Sequence, residues 1–439
     1  MDRVCVIGAG SSGIAACQVL SARGVDYDCV EAGSEVGGNW RYLNDNGMSS
    51  AYRSLHINTS RQMMEFRSFP MPSHLPPYPS HFQIAEYFDD FVKHHGFRDR
   101  IRFRTEVTSV EPVPSGGYAV TSRDRDTGES VTTPYRSVIV ANGHHWSPRW
   151  PEPAFEGTFD GEQLHAHFYR TPDRFAGKKV LVLGIGNSAC DIAVESSRVS
   201  ARTFLAMRRG AHIMPKFLFG MPTDHLTTSP LARFAPAWLQ ALSLRVMLRI
   251  ARGKLTGYGL PKPSHGILAA HPTVSDDLLT RLGHGDITVK PTVARLDGSG
   301  VVFADGSRED VDVIVYCTGY KVDFPFLEAS AFPAVSSPDN EVSLYRRVVD
   351  PEHPGLYFLG LIQPLGAVMP LAEAQAEWVA DLLTGRAVLP PVPEMKAEIT
   401  SYRRGLRSRY VTSKRHTIEV DFLGYQRELL EERRRTSAH

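Results

Sequence analysis

Short apolar runs, separated by a glycine-rich turn and a helical stretch, organise the beginning of the chain. The apolar run Val4–Ile7 leads directly into a turn over residues 8–13 that contains three glycines. A helical stretch follows over residues 14–22, and a second apolar run, Tyr27–Val30, ends at Glu31. An apolar strand, a tight turn and a helix in this order predict a βα unit.

The same order of elements begins again near residue 178. Residues 178–183 predict a strand, residues 184–189 form a turn with two glycines and an alanine, and residues 190–197 predict a helix. A further strand over residues 201–207 ends at Arg208 and Arg209. A complete βα unit that recurs at this distance indicates a second fold of the same kind, not a solenoid repeat.

The remaining apolar runs extend both folds. Two runs with partial alternation predict a hairpin-like excursion, and shorter runs predict buried strands and two further helices. The predicted fold class is α/β, with two three-layer Rossmann-like dinucleotide-binding domains. The excursion lies over residues 102–111 and 118–122, the strands over 137–141, 287–289, 301–303, 311–316 and 356–360, and the helices over 238–251 and 372–383.

Composition narrows the class of protein. The chain has 439 residues, of which 42% are hydrophobic and 22% charged, and these values are typical of a soluble globular protein. Lys and Arg total 49 and Asp and Glu total 48, so the net charge of +1 gives no global reason to bind nucleic acid or an anionic membrane.

None of the five cysteines forms a Cys-x-x-Cys pair, which disfavours disulfide, zinc and dithiol chemistry, and we expect no metal site. No apolar run reaches the roughly 18 residues of a membrane span.

The first glycine turn and the acidic residue that follows it indicate a nucleotide whose ribose carries no 2′-phosphate. Gly8 permits the tight turn, Gly10 admits a pyrophosphate to the backbone, and Gly13 lets the helix pack closely on the strand. A glycine turn of this kind also occurs where only close packing of helix and strand requires it. The neighbouring residues therefore decide whether the turn binds a nucleotide. Glu31 follows the second strand at about the 20-residue distance expected for a carboxylate that accepts from ribose hydroxyls. This carboxylate would repel a 2′-phosphate, which favours FAD or NAD over NADP.

The second turn carries the opposite charge. Gly184, Gly186 and Ala189 fit the same fingerprint, but the position that follows the next strand is the pair Arg208–Arg209. Two guanidinium groups there would pair with a 2′-phosphate and so select NADPH over NADH, although an arginine pair can also be a simple solvated surface. Because nicotinamide delivers hydride and flavin receives it, the two folds together predict an NADPH-dependent flavoprotein.

Residues 159–169 (FDGEQLHAHFY) fit the pattern FxGxxxHxxx(F/Y/W) that marks class B flavoprotein monooxygenases. Tyr169 and Arg170 at its end resemble the flavin-containing monooxygenases, the N- and S-oxygenating branch, more than the Baeyer–Villiger branch. Residues 31–40, 55–64, 312–326, 360–366 and 372–376 resemble further segments of that family, in order. The chain departs from the family pattern at Ser68 and Glu377, where we expect altered local pairing.

The resemblance implies a discontinuous FAD domain over residues 1–165 and 316–439, with an NADPH domain over 166–315 inserted into it. It also places Asn58 at the reacting edge of the flavin, where its amide would donate a hydrogen bond, and we expect Asn58 to be the catalytic residue. The residues expected to contact the cofactors are Gly8, Gly10, Ser12, Gly13, Glu31, Gly38, Trp40, His56, Asn58, Thr59, Val107, Gly184, Gly186, Asn187, Ser188, Ala189, Arg208, Arg209, Thr318 and Gln363.

The resemblance further implies the reaction and its partners. It implies an NADPH- and O2-dependent oxygenation of amines, sulfides or indole through a C4a-hydroperoxyflavin stabilised by NADP+, with no triad or carboxylate pair. A cytoplasmic homodimer is expected. Baeyer–Villiger oxygenation of ketones and a plain NADPH oxidase or reductase remain open alternatives. The amphipathic stretch over residues 231–252 favours a helical insertion packed on the NADPH domain, and a membrane-surface helix and the lining of a substrate tunnel are the alternatives.

Overall fold

The computed structural model describes residues 2–228, 236–267, 272–409 and 417–436. The beginning of the predicted amphipathic stretch, residues 231–235, therefore lies outside the described residues. In chain order the helices are α1 Ser11–Ala22, α2 Arg61–Met64, α3 His81–His95, α4 Asn187–Ser196, α5 Thr223–Thr228, α6 Ala237–Arg252, α7 Leu278–His284, α8 Met369–Leu383, α9 Val392–Arg409 and α10 Phe422–Arg433.

The strands are numbered in the same way. They are β1 Val4–Ile7, β2 Tyr27–Val30, β3 Ile101–Arg102, β4 Thr105–Pro112, β5 Tyr118–Asp124, β6 Ser130–Tyr135, β7 Ser137–Val140, β8 Ser147–Pro148, β9 Glu162–His165, β10 Lys179–Leu183, β11 Arg202–Ala206, β12 Ile213–Met214, β13 Phe217–Leu218, β14 Met221–Pro222, β15 Thr273–Val274, β16 Ile287–Lys290, β17 Val293–Asp297, β18 Gly300–Phe303, β19 Arg308–Asp310, β20 Val313–Tyr316, β21 Tyr320–Lys321, β22 Leu356–Phe358, β23 Gln363–Pro364 and β24 Glu419–Val420.

The chain divides into two compact units. The first contains residues up to 51, 55–147 and those from 320 onward, and the second contains residues 52–54 and 148–319. The predicted boundary at residue 165 falls inside the second unit because β9 pairs in parallel with β20, whereas the predicted boundary at residue 315 lies near the end of that unit at residue 319.

The first unit is built on a parallel sheet with strand order β22-β7-β1-β2-β3. All four residues of β1 and all four of β7 are buried, which is expected when both faces of a parallel sheet are covered. Helix α1 packs mainly against α8, and α8 packs in turn against α10. Strands β4, β5 and β6 form a separate antiparallel sheet, which is the predicted excursion with a third strand added.

The second unit repeats this plan with the parallel order β16-β11-β10-β20-β9. Leu181, Val182 and the facing residues of β20 are fully buried, so this sheet is also covered on both faces. The predicted α/β class with two dinucleotide-type folds is confirmed. The predicted elements appear with shifted bounds: α1 begins at Ser11, α8 begins at Met369, and β22 ends at Phe358.

A short segment from early in the chain belongs to the second unit. The backbone N–H of Arg53 donates to the carbonyl of Arg170 at 2.9 Å. Tyr52 is 5% exposed, and its hydroxyl donates to the carboxylate of Asp191 on α4. Burial and this carboxylate together raise the pKa of Tyr52 well above its usual value, so the phenol stays protonated. Residues 52–54 are therefore part of the packing of α4.

Candidate functional site

The first glycine turn connects β1 to α1 through positions that exclude side chains. Gly8 has a φ of +98°, and a Cβ there would lie 2.8 Å from the carbonyl oxygen of Ala141. A Cβ on Gly13 would lie 1.8 Å from the carbonyl oxygen of Gly8, a distance that no packing adjustment relieves. The residue that precedes α1 is Gly10, and no side chain caps the helix. The first-turn N–H groups of α1 are thus left for an anion.

A second glycine segment faces this turn. Gly37 donates its N–H to the carbonyl of Ala9 at 2.9 Å, and the Cα of Gly10 lies 3.1 Å from the position of a Cβ on Gly38. Gly38 and Trp40 bound a short 3-10 helix, and Trp40 is half-buried against the core. The glycines leave open backbone on both sides, a cradle of the kind that a pyrophosphate requires.

Glu31 is fixed beside the turn by three hydrogen bonds. Its side chain is 4% exposed, and one carboxylate oxygen accepts from the N–H of Ala9 at 2.7 Å. The other oxygen accepts from the N–H of Gly33 at 2.7 Å and from the amide of Asn46 at 3.2 Å. Burial raises the pKa of Glu31, and these three hydrogen bonds oppose the rise. Asn46 was missed by the sequence reasoning, because its only signal is its place in a turn-rich run.

The loop that carries His56, Asn58 and Thr59 is held by its backbone. His56 forms an antiparallel bridge with Ser80, and the N–H of Ile57 donates to the carbonyl of Pro79 at 3.1 Å. Ser60, which is fully buried, precedes α2. Thr59 and Asn58 are half-buried, and the side-chain amide of Asn58 makes no hydrogen bond to another described residue. This amide is therefore available to a ligand.

Three other predicted contact residues occupy different places in the first unit. Ser12 is buried, and a Cβ on Gly360 would lie 2.1 Å from its hydroxyl oxygen, so Gly360 packs directly on the first turn of α1. Val107 lies in β4 at an irregularity of the strand pairing, with its side chain in the core. Gln363 lies in β23, and its N–H donates to the carbonyl of Ile418 at 2.8 Å.

A buried chain of hydrogen bonds holds Gly360 in this position. The N–H of Gly360 donates to the side-chain oxygen of Gln375 at 2.9 Å, and the Gln375 amide donates to the hydroxyl of Tyr425 at 2.7 Å. The Tyr425 hydroxyl donates to the carbonyl of Arg346 at 2.5 Å. Gln375 is fully buried on α8. The sequence shows that residues 372–376 resemble a segment of the family, but it contains no signal for this series of hydrogen bonds.

The two departures from the family pattern have identifiable partners. The N–H groups of Arg67 and Ser68 donate to the carboxylate of Glu373, at 2.8 and 3.0 Å. The carboxylate of Glu377 pairs with Arg433 on α10. Both positions therefore contribute to local packing within the first unit.

The second glycine turn has the same construction as the first. Gly184 has a φ of +130°, and a Cβ there would lie 2.8 Å from the carbonyl oxygen of Cys317. Gly186 precedes α4 without a side-chain cap. Asn187 accepts from the N–H of Val274 at 2.7 Å, which orients its side chain toward β15. Ser188 is half-buried, and Ala189 is fully buried against the sheet.

Arg208 and Arg209 lie just past the end of β11. Ala206 pairs with Leu183, and the N–H of Gly184 donates to the carbonyl of Ala206 at 2.9 Å, so the register brings the strand end beside the turn. Both arginines are exposed, and neither pairs with a carboxylate among the residues that the structure describes. Glu31 has the corresponding position in the first unit, because Ile7 pairs with Val30.

Thr318 and the motif residues 159–169 lie in the second unit. The exposed Thr318 donates its hydroxyl to the carbonyl of Arg149. A Cβ on Gly161 would lie 2.5 Å from the carbonyl oxygen of Asp312, so only glycine fits there. His165 is fully buried, and burial lowers its pKa to about 4, so it is neutral at physiological pH. Tyr169 is also buried and donates to Glu195 on α4. Gly161, His165 and Tyr169 of the motif therefore pack this unit.

Each unit has a glycine turn that leads into an uncapped helix. A buried carboxylate lies beside the first turn, and beside the second lie two exposed arginines that pair with no carboxylate in the described part of the chain. Together these features define a class of protein. It is the class of flavoprotein oxidoreductases with two dinucleotide-binding folds. Comparison with known proteins gives the family. A family model described as "FMO-like: Flavin-binding monooxygenase-like" matches residues 1–434, and the chain belongs to this family.

Individual relatives agree with the family. Flavin-containing monooxygenase 5 of Oryctolagus cuniculus is 38% identical over 441 residues, which cover 97% of this chain and 82% of the relative. Dimethylaniline monooxygenase [N-oxide-forming] 2 of Mus musculus is 36% identical, with the same coverage. The structure of S-allyl-L-cysteine S-oxygenase from Allium sativum matches with a TM-score of 0.72 and 24% identity, over 100% of this chain and 89% of that one, which shows the fold.

The residues present fit the cofactors of this class. The open cradle of Gly10 and Gly38, and the uncapped starts of α1 and α4, match two dinucleotides. The protein is an NADPH-dependent flavin monooxygenase, as the sequence predicted, with FAD and NADPH as its cofactors. Within the described ranges, no group of three or more His, Cys, Asp or Glu side chains could hold a metal ion. No described helix is both long and apolar enough to cross a bilayer.

Proposed function

We propose that this protein uses NADPH and O2 to transfer one oxygen atom to a soft nucleophilic nitrogen or sulfur atom of a small molecule. The observation that carries the proposal is that the two glycine turns of this flavin monooxygenase have neighbours of opposite charge, a carboxylate beside the first turn and two arginines beside the second. A buried Glu31 suits a free ribose, and the exposed pair Arg208–Arg209 suits a 2′-phosphate. The relatives named as N-oxide-forming and S-oxygenating support nitrogen and sulfur as acceptors.

The residues of the chain bind and orient in this proposal. Bound flavin supplies the redox and oxygen chemistry. Gly10 and Gly38 admit the pyrophosphate of FAD, and Glu31 accepts from its ribose hydroxyls. The other predicted contact residues of the first unit border the same cofactor, and the N–H groups at the start of α4 face the pyrophosphate of NADPH. Asn58 donates from its side-chain amide at the reacting edge, where water must be excluded.

The test is a complete balance of reducing equivalents. With dimethylaniline or a methyl sulfide as substrate, each NADPH and each O2 consumed should give one N-oxide or sulfoxide and one water. If the acceptor atom is instead a ketone carbon, cyclohexanone should yield a lactone. If every NADPH ends as hydrogen peroxide with all three substrates, the protein is an oxidase and the proposal is wrong. Light scattering and cell fractionation test the homodimer and the cytoplasmic location that accompany the proposal.

We expect Arg208 to discriminate between the two nicotinamide cofactors. The Arg208→Ala variant should lose about tenfold in its preference for NADPH over NADH, because one charge-assisted contact to the 2′-phosphate contributes about 1.5–3 kcal/mol before solvent screening. The measurement is kcat/KM with each cofactor. Arg202→Ala is the matched control, since Arg202 is an exposed arginine at the opposite end of β11. An unchanged preference in Arg208→Ala and in Arg209→Ala would exclude the 2′-phosphate role.

A further inference from the structure

Helix α6 is apolar on two opposite sides. Leu244 and Leu248 are buried and pack with Met214 and Ile267 in a small core of the second unit. The opposite side has a stripe of large apolar side chains that remain exposed. It consists of Trp238, Leu239, Leu242, Val246 and Ile250, of which Trp238 is 68% and Ile250 72% exposed. A helix with apolar residues on both sides is expected to be covered on both sides. We therefore expect another molecule to bind the exposed stripe.

The charges along the helix indicate the nature of the occupant. From Ala237 to Lys254 the chain contains four cations, Arg245, Arg249, Arg252 and Lys254, and no acidic residue. None of the four pairs with a carboxylate among the described residues. Arg245, Arg249 and Lys254 are exposed, whereas Arg252 is partly buried, and burial lowers its pKa to about 10. The three exposed cations are therefore available to an external anion.

The order of residues around the helix separates apolar and basic positions. At 100° per residue, Leu242, Val246, Leu239 and Ile250 occupy the centre of the exposed side, while Trp238 lies at one margin together with Arg245 and Arg249. Tryptophan and arginine at the margin of an apolar stripe suit the interface between lipid headgroups and acyl chains. Three more exposed apolar side chains, Phe217, Phe219 and Met221, lie in the hairpin β13–β14, just after the strand on which α6 packs.

We propose that the exposed stripe of α6 docks on an anionic lipid surface, where the helix lies in the plane of the headgroups. A second copy of this chain fits less well, because a symmetric contact through this helix would bring unpaired arginines of both copies together. The near-zero net charge of the whole chain does not oppose docking. Attraction to a lipid surface acts within about 10 Å of the charges, so the local excess on α6 decides.

Sedimentation with vesicles tests the docking. The protein should sediment with phosphatidylcholine vesicles that contain phosphatidylglycerol, about tenfold more strongly than with phosphatidylcholine alone, and added salt should weaken the binding. The variant Val246→Ser/Ile250→Ser should lose binding by about tenfold or more, because it removes the apolar contact, and Arg245→Gln/Arg249→Gln should abolish the preference for anionic lipid. The matched control is Val131→Ser, an exposed valine on β6 of the first unit, which should bind like the wild type.

A second measurement keeps folding and docking apart. NADPH oxidation in solution should be unchanged in all these variants, because the substituted side chains are exposed and remote in sequence from both glycine turns. Two outcomes would overturn the proposal: vesicle binding that is absent in the wild type, or binding that survives the loss of the stripe. Light scattering that shows a dimer, dissociated by Val246→Ser/Ile250→Ser in a protein without vesicle binding, would assign the stripe to a second copy instead.

Discussion

The Gly13→Ala variant should be purified without flavin and with reduced stability. The added Cβ would lie 1.8 Å from the carbonyl oxygen of Gly8 and 2.8 Å from its carbonyl carbon. These atoms are backbone of the turn itself, so α1 must move away from β1 to accommodate the methyl group. Overpacking of this kind costs about 1–3 kcal/mol or more, and the displaced helix start no longer faces the cofactor. Visible flavin absorbance and thermal unfolding measure the two effects.

The Gly10→Ala variant separates these two effects. A Cβ on Gly10 has the Cα of Gly38 as its nearest atom, 3.8 Å away, so the free protein accommodates it. The methyl group would nevertheless fill the cradle into which the pyrophosphate must fit. Gly10→Ala should therefore unfold like the wild type without cofactor while its flavin affinity falls. Gly257→Ala is the control, because its Cβ meets nothing within 4 Å. Full flavin occupancy in Gly10→Ala would contradict the assignment of the cradle.

Replacing Asn58 with leucine should uncouple NADPH oxidation from oxygenation. The backbone of the loop is held by the bonds of His56 and Ile57, so the loop should keep its shape and flavin should stay bound. The lost group is a half-buried amide that has no partner among the described residues. Loss of one donor at a site of developing charge typically costs about 100-fold or more, and we expect oxygenated product to fall by about that factor. Hydrogen peroxide should rise to account for the NADPH consumed.

The Asn58→Asp variant distinguishes a donor from a space-filling side chain. Aspartate has nearly the same shape as asparagine, but its carboxylate only accepts hydrogen bonds when ionised. Asn58→Asp should therefore be as uncoupled as Asn58→Leu. If it couples normally, the amide is not a donor, and if Asn58→Leu also forms product at the wild-type rate with little peroxide, the residue has no catalytic role.

Local patterns in the sequence were enough to predict the two turns and the strands around them. The buried strands of both sheets appear in the sequence as continuous apolar runs. Each glycine of the two turns indicates a position where the local backbone leaves no room for a side chain or must stay open to a ligand. The placement of Glu31 and Arg208 also followed, because parallel pairing in register brings the end of the second strand beside the turn. Their roles toward the cofactors, like that of Asn58, remain predictions.

Features that depend on distant segments could not be predicted in this way. The hydrogen bonds from Gly360 to Gln375 and Tyr425 join residues that no period or spacing connects. Helix α3 is a different case, since Ser80 and Gln83 form a capping box that is visible in the sequence and was overlooked. The predicted boundary at residue 165 lies inside the second compact unit. The reason is that β9 belongs to the sheet with which it pairs, and the motif that contains β9 does not reveal this pairing.

The membership of Tyr52 in the second unit affects how the protein can be dissected. A fragment cut at residues 148 and 319 would lack a buried tyrosine and would lose the hydroxyl donors that Tyr52 and Ser54 provide to Asp191 and Glu195, although Tyr169 would still donate to Glu195. Losing a hydrogen bond to a partly buried carboxylate destabilises the folded fragment. Chimeras that exchange nicotinamide specificity between relatives should therefore carry residues 52–54 together with residues 148–319 from the same parent.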